Sequence, residues 1–144
     1  MKKDYQLTFY KADYAQYNCI LEDDEIRSRI SEFLLKYVSL EAFYKKMLVA
    51  MRESNGQKLS KKEKNNLSVT VLNVKAVLNY FDINYDDALI ERVFGSNDSN
   101  YMECSVKKLR NRMVHNVNDT VLRIILERYE NVMNDLNAVA DMLK

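Results

Sequence analysis

The chain has 144 residues, 47% of them apolar and 30% charged, with a net charge of +1. That length can bury a core within one domain, the balance excludes a disordered chain, and no apolar run approaches the roughly 18 residues needed to span a bilayer. Near-zero net charge removes any global argument for nucleic-acid binding, so only local clustering can carry one.

Proline is absent and glycine occurs only as Gly56 and Gly95. Folds built from many tight turns need more of both, whereas long helices need neither, so the composition points to an all-α protein. Cys19 and Cys104 imply no disulfide framework and read as free thiols in a reducing cytoplasm. One histidine and no Cys-x-x-Cys pair leave a zinc site little to build from. No loop gathers carboxylates for a hard cation. Neither a metal nor another cofactor is expected. The start, Met1-Lys2-Lys3-Asp4-Tyr5-Gln6, lacks the apolar block of a secretory signal, which fits a cytoplasmic protein without a membrane partner.

Residues 1–22 read ambiguously. Tyr5, Leu7 and Phe9 alternate as in a strand, while Tyr10, Tyr14 and Tyr17 recur at near-helical spacing, giving a short helix or an irregular packing arm. These tyrosines could stack on bases or pack against the next helix, the second reading being preferred.

From Asp24, an apolar stripe of Ile26, Ile30, Phe33, Leu34, Tyr37, Val38, Tyr44, Met47, Leu48 and Met51 marks a long helix. Asp23, Asp24 and Glu25 favour its start, and Ser54-Asn55-Gly56 should end it. A second helix begins at Ser60, which has capping-box spacing to Glu63. It continues through Leu67, Val71, Val74, Leu78 and Phe81. A short third helix is expected from Tyr85 to Phe94, followed by Gly95 and the loop Ser96-Asn97-Asp98-Ser99-Asn100. A fourth helix carries Met102, Val106, Leu109 and Met113, and Asn116 interrupts it. Asn118 or Asp119 then caps a last helix, on which Leu122, Ile125, Tyr129, Val132, Leu136, Val139 and Leu143 form a regular seam. Leu126, Met133 and Ala140 widen that seam beyond a two-stranded coiled coil. The expected architecture is one domain over residues 1–144, an all-α, up-and-down bundle of four to five helices with a long first and last helix.

One segment concentrates chemistry. Lys107-Lys108-Leu109-Arg110-Asn111-Arg112-Met113-Val114-His115 packs four cations and the sole imidazole together. Lys108 and Arg112 share a helix face, with His115 nearly on it. Arg110 and His115 are about 140° apart on a straight helix. Their convergence needs a helix end at about Asn116, a symmetric partner, or both.

The run Arg110-Asn111-Arg112-Met113-Val114-His115, near the end of a helix in a small bundle and ahead of a long final helix, resembles the Arg-x4-6-His motif of the HEPN superfamily. The resemblance implies a metal-independent endoribonuclease, a toxin or antiviral-defence component, that acts on RNA as a homodimer. Arg110, Asn111 and His115 would then be the catalytic residues. An antitoxin or defence-system protein is implied as a partner. The His-x-Tyr continuation of the toxins paired with nucleotidyltransferase antitoxins is absent, since His115-Asn116-Val117 stands there, which argues against that class of antitoxin.

The chemistry also stands on the residues. Metal-free RNA cleavage needs a base for the 2′-hydroxyl proton and positive charge on the developing phosphorane. Imidazole exchanges protons near neutral pH. The planar fork of Arg110 can meet phosphate oxygens, and Asn111 could orient the phosphate or the ring. Lys107, Lys108 and Arg112 would bind the flanking phosphates. The expected products carry 2′,3′-cyclic phosphate and 5′-hydroxyl ends.

Plainer readings stand beside this one. A histidine at a helix C-terminus also complements the helix dipole, and the wide seam of the last helix suits a non-catalytic interaction or RNA-binding subunit that keeps only the HEPN fold. The cluster Lys58, Lys61, Lys62 and Lys64 is either a solvated helix start or an RNA-backbone contact, with the first preferred.

Overall fold

A computed structural model describes residues 22–144 together with Thr8, Lys11 and Ala15. The expected N-terminal arm with Tyr5, Tyr10, Tyr14 and Tyr17, and Cys19 with it, lies outside those residues. The described part is all-helical and fits an up-and-down bundle: α1 Asp24–Ser54, α2 Lys61–Asn65, α3 Val71–Tyr80, α4 Asp87–Phe94, α5 Val106–His115 and α6 Asp119–Met142. Among the described residues no helix is long and apolar enough to cross a membrane.

Local chemistry sets the helix ends. The Asp23 side chain accepts from the Glu25 and Ile26 amides at 3.0 and 3.1 Å, which opens α1. Asn55 closes it, and Gly56 follows with φ 89°, a left-handed conformation that costs glycine little. Ser60 and Glu63 form the expected capping box on α2. Asn118 caps α6 through the Val121 amide at 2.9 Å.

Two elements differ from their expectations. The second helix is split: α2 stops at Asn65, residues 67–70 are non-helical, and α3 restarts under a Thr70 cap on the Asn73 amide. Asn65 and Asn66 are weak helix formers, and the Asn73 amide group donates to the Ser68 carbonyl at 2.8 Å. Leu67 and Val69 are buried, so the break is anchored by core burial. Met102, expected inside the fourth helix, lies in the turn before α5 and is exposed. Val38 and Phe81, expected on inner faces, are exposed too.

The core sits where α1 meets α6 and α3, with α4 and α5 closing the other side. Phe94 of α4 lies between two α1 rings, 6.2 Å from Tyr37 and 5.4 Å edge-on from Tyr44. Leu109 of α5 and Leu136 of α6 are wholly buried. The α6 seam is buried as expected at Leu122, Ile125, Val132, Leu136 and Val139. Its Tyr129 sits at the edge, donating to the Glu32 carboxylate at 2.6 Å.

Candidate functional site

The basic segment lies on α5 itself. Val106 and Leu109 bury one side of it, so the intervening residues must face outward or toward neighbours. Ser105 starts the helix and is itself 3% exposed. Its hydroxyl donates to the Gly95 carbonyl at 2.7 Å and accepts from the Lys108 amide at 3.2 Å. The Ser105 amide donates to the Asn97 carbonyl at 3.1 Å. These bonds close the neck of the loop between α4 and α5 and hold it beside α5.

Inside the loop, Asn97 accepts from the Ser99 amide and hydroxyl and donates to the Glu103 carbonyl. Asn100 accepts from the Glu103 amide at 2.8 Å. The loop is thus ordered by its own side chains.

An open groove of about 660 Å³ lies between this loop and the C-terminal half of α5. From α5 it is lined by Lys108, Asn111, Arg112 and His115. The loop supplies Asp98, Asn100 and Tyr101. The helical spacing of 108, 111, 112 and 115 accounts for the shared face. The helix ends at His115, with Asn116 as its cap and the Asn116 amide on the Arg112 carbonyl at 2.8 Å. His115 is exposed, and among the described residues its ring has no hydrogen-bond partner.

Arg112 is the groove's fixed cation. Its guanidinium stacks 4.2 Å over the Tyr101 ring, donates to the Asp98 carbonyl at 3.0 Å and pairs with the Asp98 carboxylate. It therefore pins the loop as well as charging the groove. Lys108 has no ion-pair partner among the described residues, so it supplies the groove's uncompensated charge.

The other two basic residues of the segment go elsewhere. Lys107 donates to the Val69 carbonyl at 3.1 Å, and burial, with Lys108 nearby, lowers its pKa. Arg110 turns toward α1, where it meets Glu41 at 2.7 Å with both side chains about one-fifth exposed. It also stacks 4.8 Å from the Tyr37 ring centre. Arg110 Nε and the Tyr37 hydroxyl are buried without hydrogen-bond partners. Burial, reinforced by the Glu41 carboxylate, pushes the Tyr37 phenol well above its ordinary range, and Arg110 offsets only part of this.

Of the six residues singled out from the sequence, the structure brings together Asn111, His115, Lys108 and Arg112. It leaves Arg110 and Lys107 outside the groove. The expected helix end at Asn116 is present, but within one chain Arg110 is bound to Glu41. Tyr101 and Asp98 were not anticipated as groove residues, nor Glu41 as a partner. The available signal for Glu41 is its position four residues after Tyr37, beside the buried stripe of α1.

Among the described residues no group of three or more His, Cys, Asp or Glu side chains could hold a metal ion. Comparison with protein-family models, with curated proteins and with solved structures gives no match.

Proposed function

We propose that this chain is a metal-independent endoribonuclease of HEPN type, with its reaction centre in the groove at the end of α5. The observation that carries the reading is the grouping of an exposed imidazole, an amide and two cations, His115, Asn111, Lys108 and Arg112, around one groove. His115 would accept the 2′-hydroxyl proton while the 2′-oxygen bonds to phosphorus. The bond to the 5′-oxygen breaks and that oxygen takes a proton from solvent water as it leaves, giving 2′,3′-cyclic phosphate and 5′-hydroxyl ends. Lys108 and Arg112 would meet the phosphorane charge, and Asn111 would hold a phosphate oxygen or the ring. Arg110, engaged with Glu41, would support the fold of α5 in the single chain and reach the reaction only through rearrangement or a second copy. The reading includes a homodimer, a role in toxicity or antiviral defence, and a protein that restrains or triggers the nuclease.

The Arg110–Glu41 pair favours a second reading, a non-catalytic RNA-binding or interaction subunit in which the Arg of the motif has become structural. Incubating RNA with purified protein in excess chelator separates the two. The first reading expects cleavage that falls by orders of magnitude in His115→Ala, and the second expects none from the unsubstituted chain.

A further inference from the structure

The chain's near-neutral charge conceals a strong local imbalance. Residues 45–64 hold seven cations and two acids, whereas the other 124 residues hold fifteen cations and nineteen acids. Both acids in the basic stretch are occupied. Glu53 pairs with Lys64 at 3.2 Å, and the Glu63 carboxylate faces the Ser60 amide of its capping box. Among the described residues, Lys45, Lys46, Lys58, Lys61 and Lys62 have no ion-pair partner.

The fold gathers part of this charge into a shape. A trough of about 400 Å³ lies between α1 and α2, with Ala42 and Val49 as its apolar members and Lys45, Lys46, Lys64 and Asn65 as its polar ones. It shares no residue with the His115 groove. Phe43 stands at the same level of α1, 46% exposed, three residues before Lys46 and so beside it on the helix surface. Among the described residues the trough carries two cations free of ion pairs, Lys45 and Lys46, and a third, Lys64, shared with Glu53. Phe43 flanks it outside the lining, so the cations offer a charged track for phosphates and the neighbouring ring a platform for a base at its edge. A helix lying on a lipid surface would need a broad apolar face under its cations. Here the exposed Leu35 and Val38 lie ahead of the lysines along α1 rather than beneath them.

We infer that the trough between α1 and α2 binds single-stranded nucleic acid, with Lys45, Lys46 and Lys64 on successive phosphates and Phe43 stacked on a base. Such contacts read the backbone and the base face, so RNA and DNA are bound alike. The inference stands apart from the cleavage chemistry of the other groove.

The test uses a fluorescent oligodeoxythymidylate of about a dozen nucleotides, which has no 2′-hydroxyl to attack. Anisotropy is measured against salt with the full chain. The unsubstituted protein should bind with a marked salt dependence. Lys45→Ala/Lys46→Ala/Lys64→Ala should lose at least about tenfold in affinity and lower the slope of log K against log salt by about two, at roughly 0.7 per phosphate contact on a single strand. Phe43→Ala should weaken binding about tenfold while leaving the slope unchanged. Lys46→Arg should keep binding, and Lys144→Ala, at the other end of the chain, should not alter it. The inference is overturned if the unsubstituted chain fails to bind, if the triple variant folds and binds equally well, or if phosphatidylserine vesicles are bound and the oligonucleotide is not. None of these outcomes depends on RNA cleavage, so this proposal and the ribonuclease reading can fail separately.

Discussion

Glu41→Gln perturbs the link between α1 and α5 with the least change in shape. In the folded chain Glu41 and Arg110 meet at 2.7 Å with side chains 21% and 19% exposed, and Tyr37 lies under the guanidinium. The glutamine keeps the volume and one acceptor oxygen but leaves Arg110 charged and part-buried without a counter-charge. Charge-assisted hydrogen bonds of this kind are worth about 1.5–3 kcal/mol, and loss of one partner from a fully buried pair costs about 3–5 kcal/mol. With a fifth of each side chain in water, the lower range applies. For a domain of this size it corresponds to a fall in Tm of about 4–10 °C. Urea denaturation followed by circular dichroism should show a lower midpoint with an unchanged slope. Adding Arg110→Met removes the stranded charge, so the double variant should be more stable than additivity predicts. The reasoning is refuted if Glu41→Gln lies within about 0.5 kcal/mol of the unsubstituted chain, or if the two substitutions simply add.

Two further outcomes follow from the core. Leu136→Ala, at a wholly buried position on α6, should cost about 2–5 kcal/mol in the same denaturation assay, and a loss below 1 kcal/mol would contradict the packing described for α1 and α6. Burial pushes the Tyr44 phenol up to about 12 from 10.0. Because the folded value is the higher one, its stabilisation is complete below pH 10 and lost as pH rises through about 12. Alkaline unfolding followed by phenolate absorbance should therefore lose part of its steepness in Tyr44→Phe.

What the sequence revealed and what it hid divide along physical lines. The ends of α1, α2 and α6 were legible because the groups that satisfy them, Asp23, Ser60 with Glu63, Asn118 and Gly56, lie within a turn of the ends they close. The α6 seam was legible because burial follows a single period. The split between α2 and α3 was hidden because the apolar spacing of Leu67, Val71 and Val74 stays in phase across it, although Val69, off that period, is buried too. In the candidate site, the common face of Lys108, Asn111, Arg112 and His115 followed from helical spacing alone. The fate of Arg110 did not, since Glu41 lies 69 residues away. Nor did the pinning of Arg112 by Asp98 and Tyr101, which depends on how the loop closes through Ser105 and Gly95.

The central claim concerns His115, whose side chain is exposed and should be replaceable without loss of fold. The direct measurement is single-turnover cleavage of a mixed-sequence RNA in excess chelator, with the product ends identified. The unsubstituted chain should release 2′,3′-cyclic phosphate and 5′-hydroxyl ends. His115→Ala, with unchanged thermal stability, should fall by about 10²–10⁴-fold, the usual contribution of a positioned acid–base group. A chain that leaves RNA intact, or a His115→Ala variant that cuts at the original rate, would contradict the account.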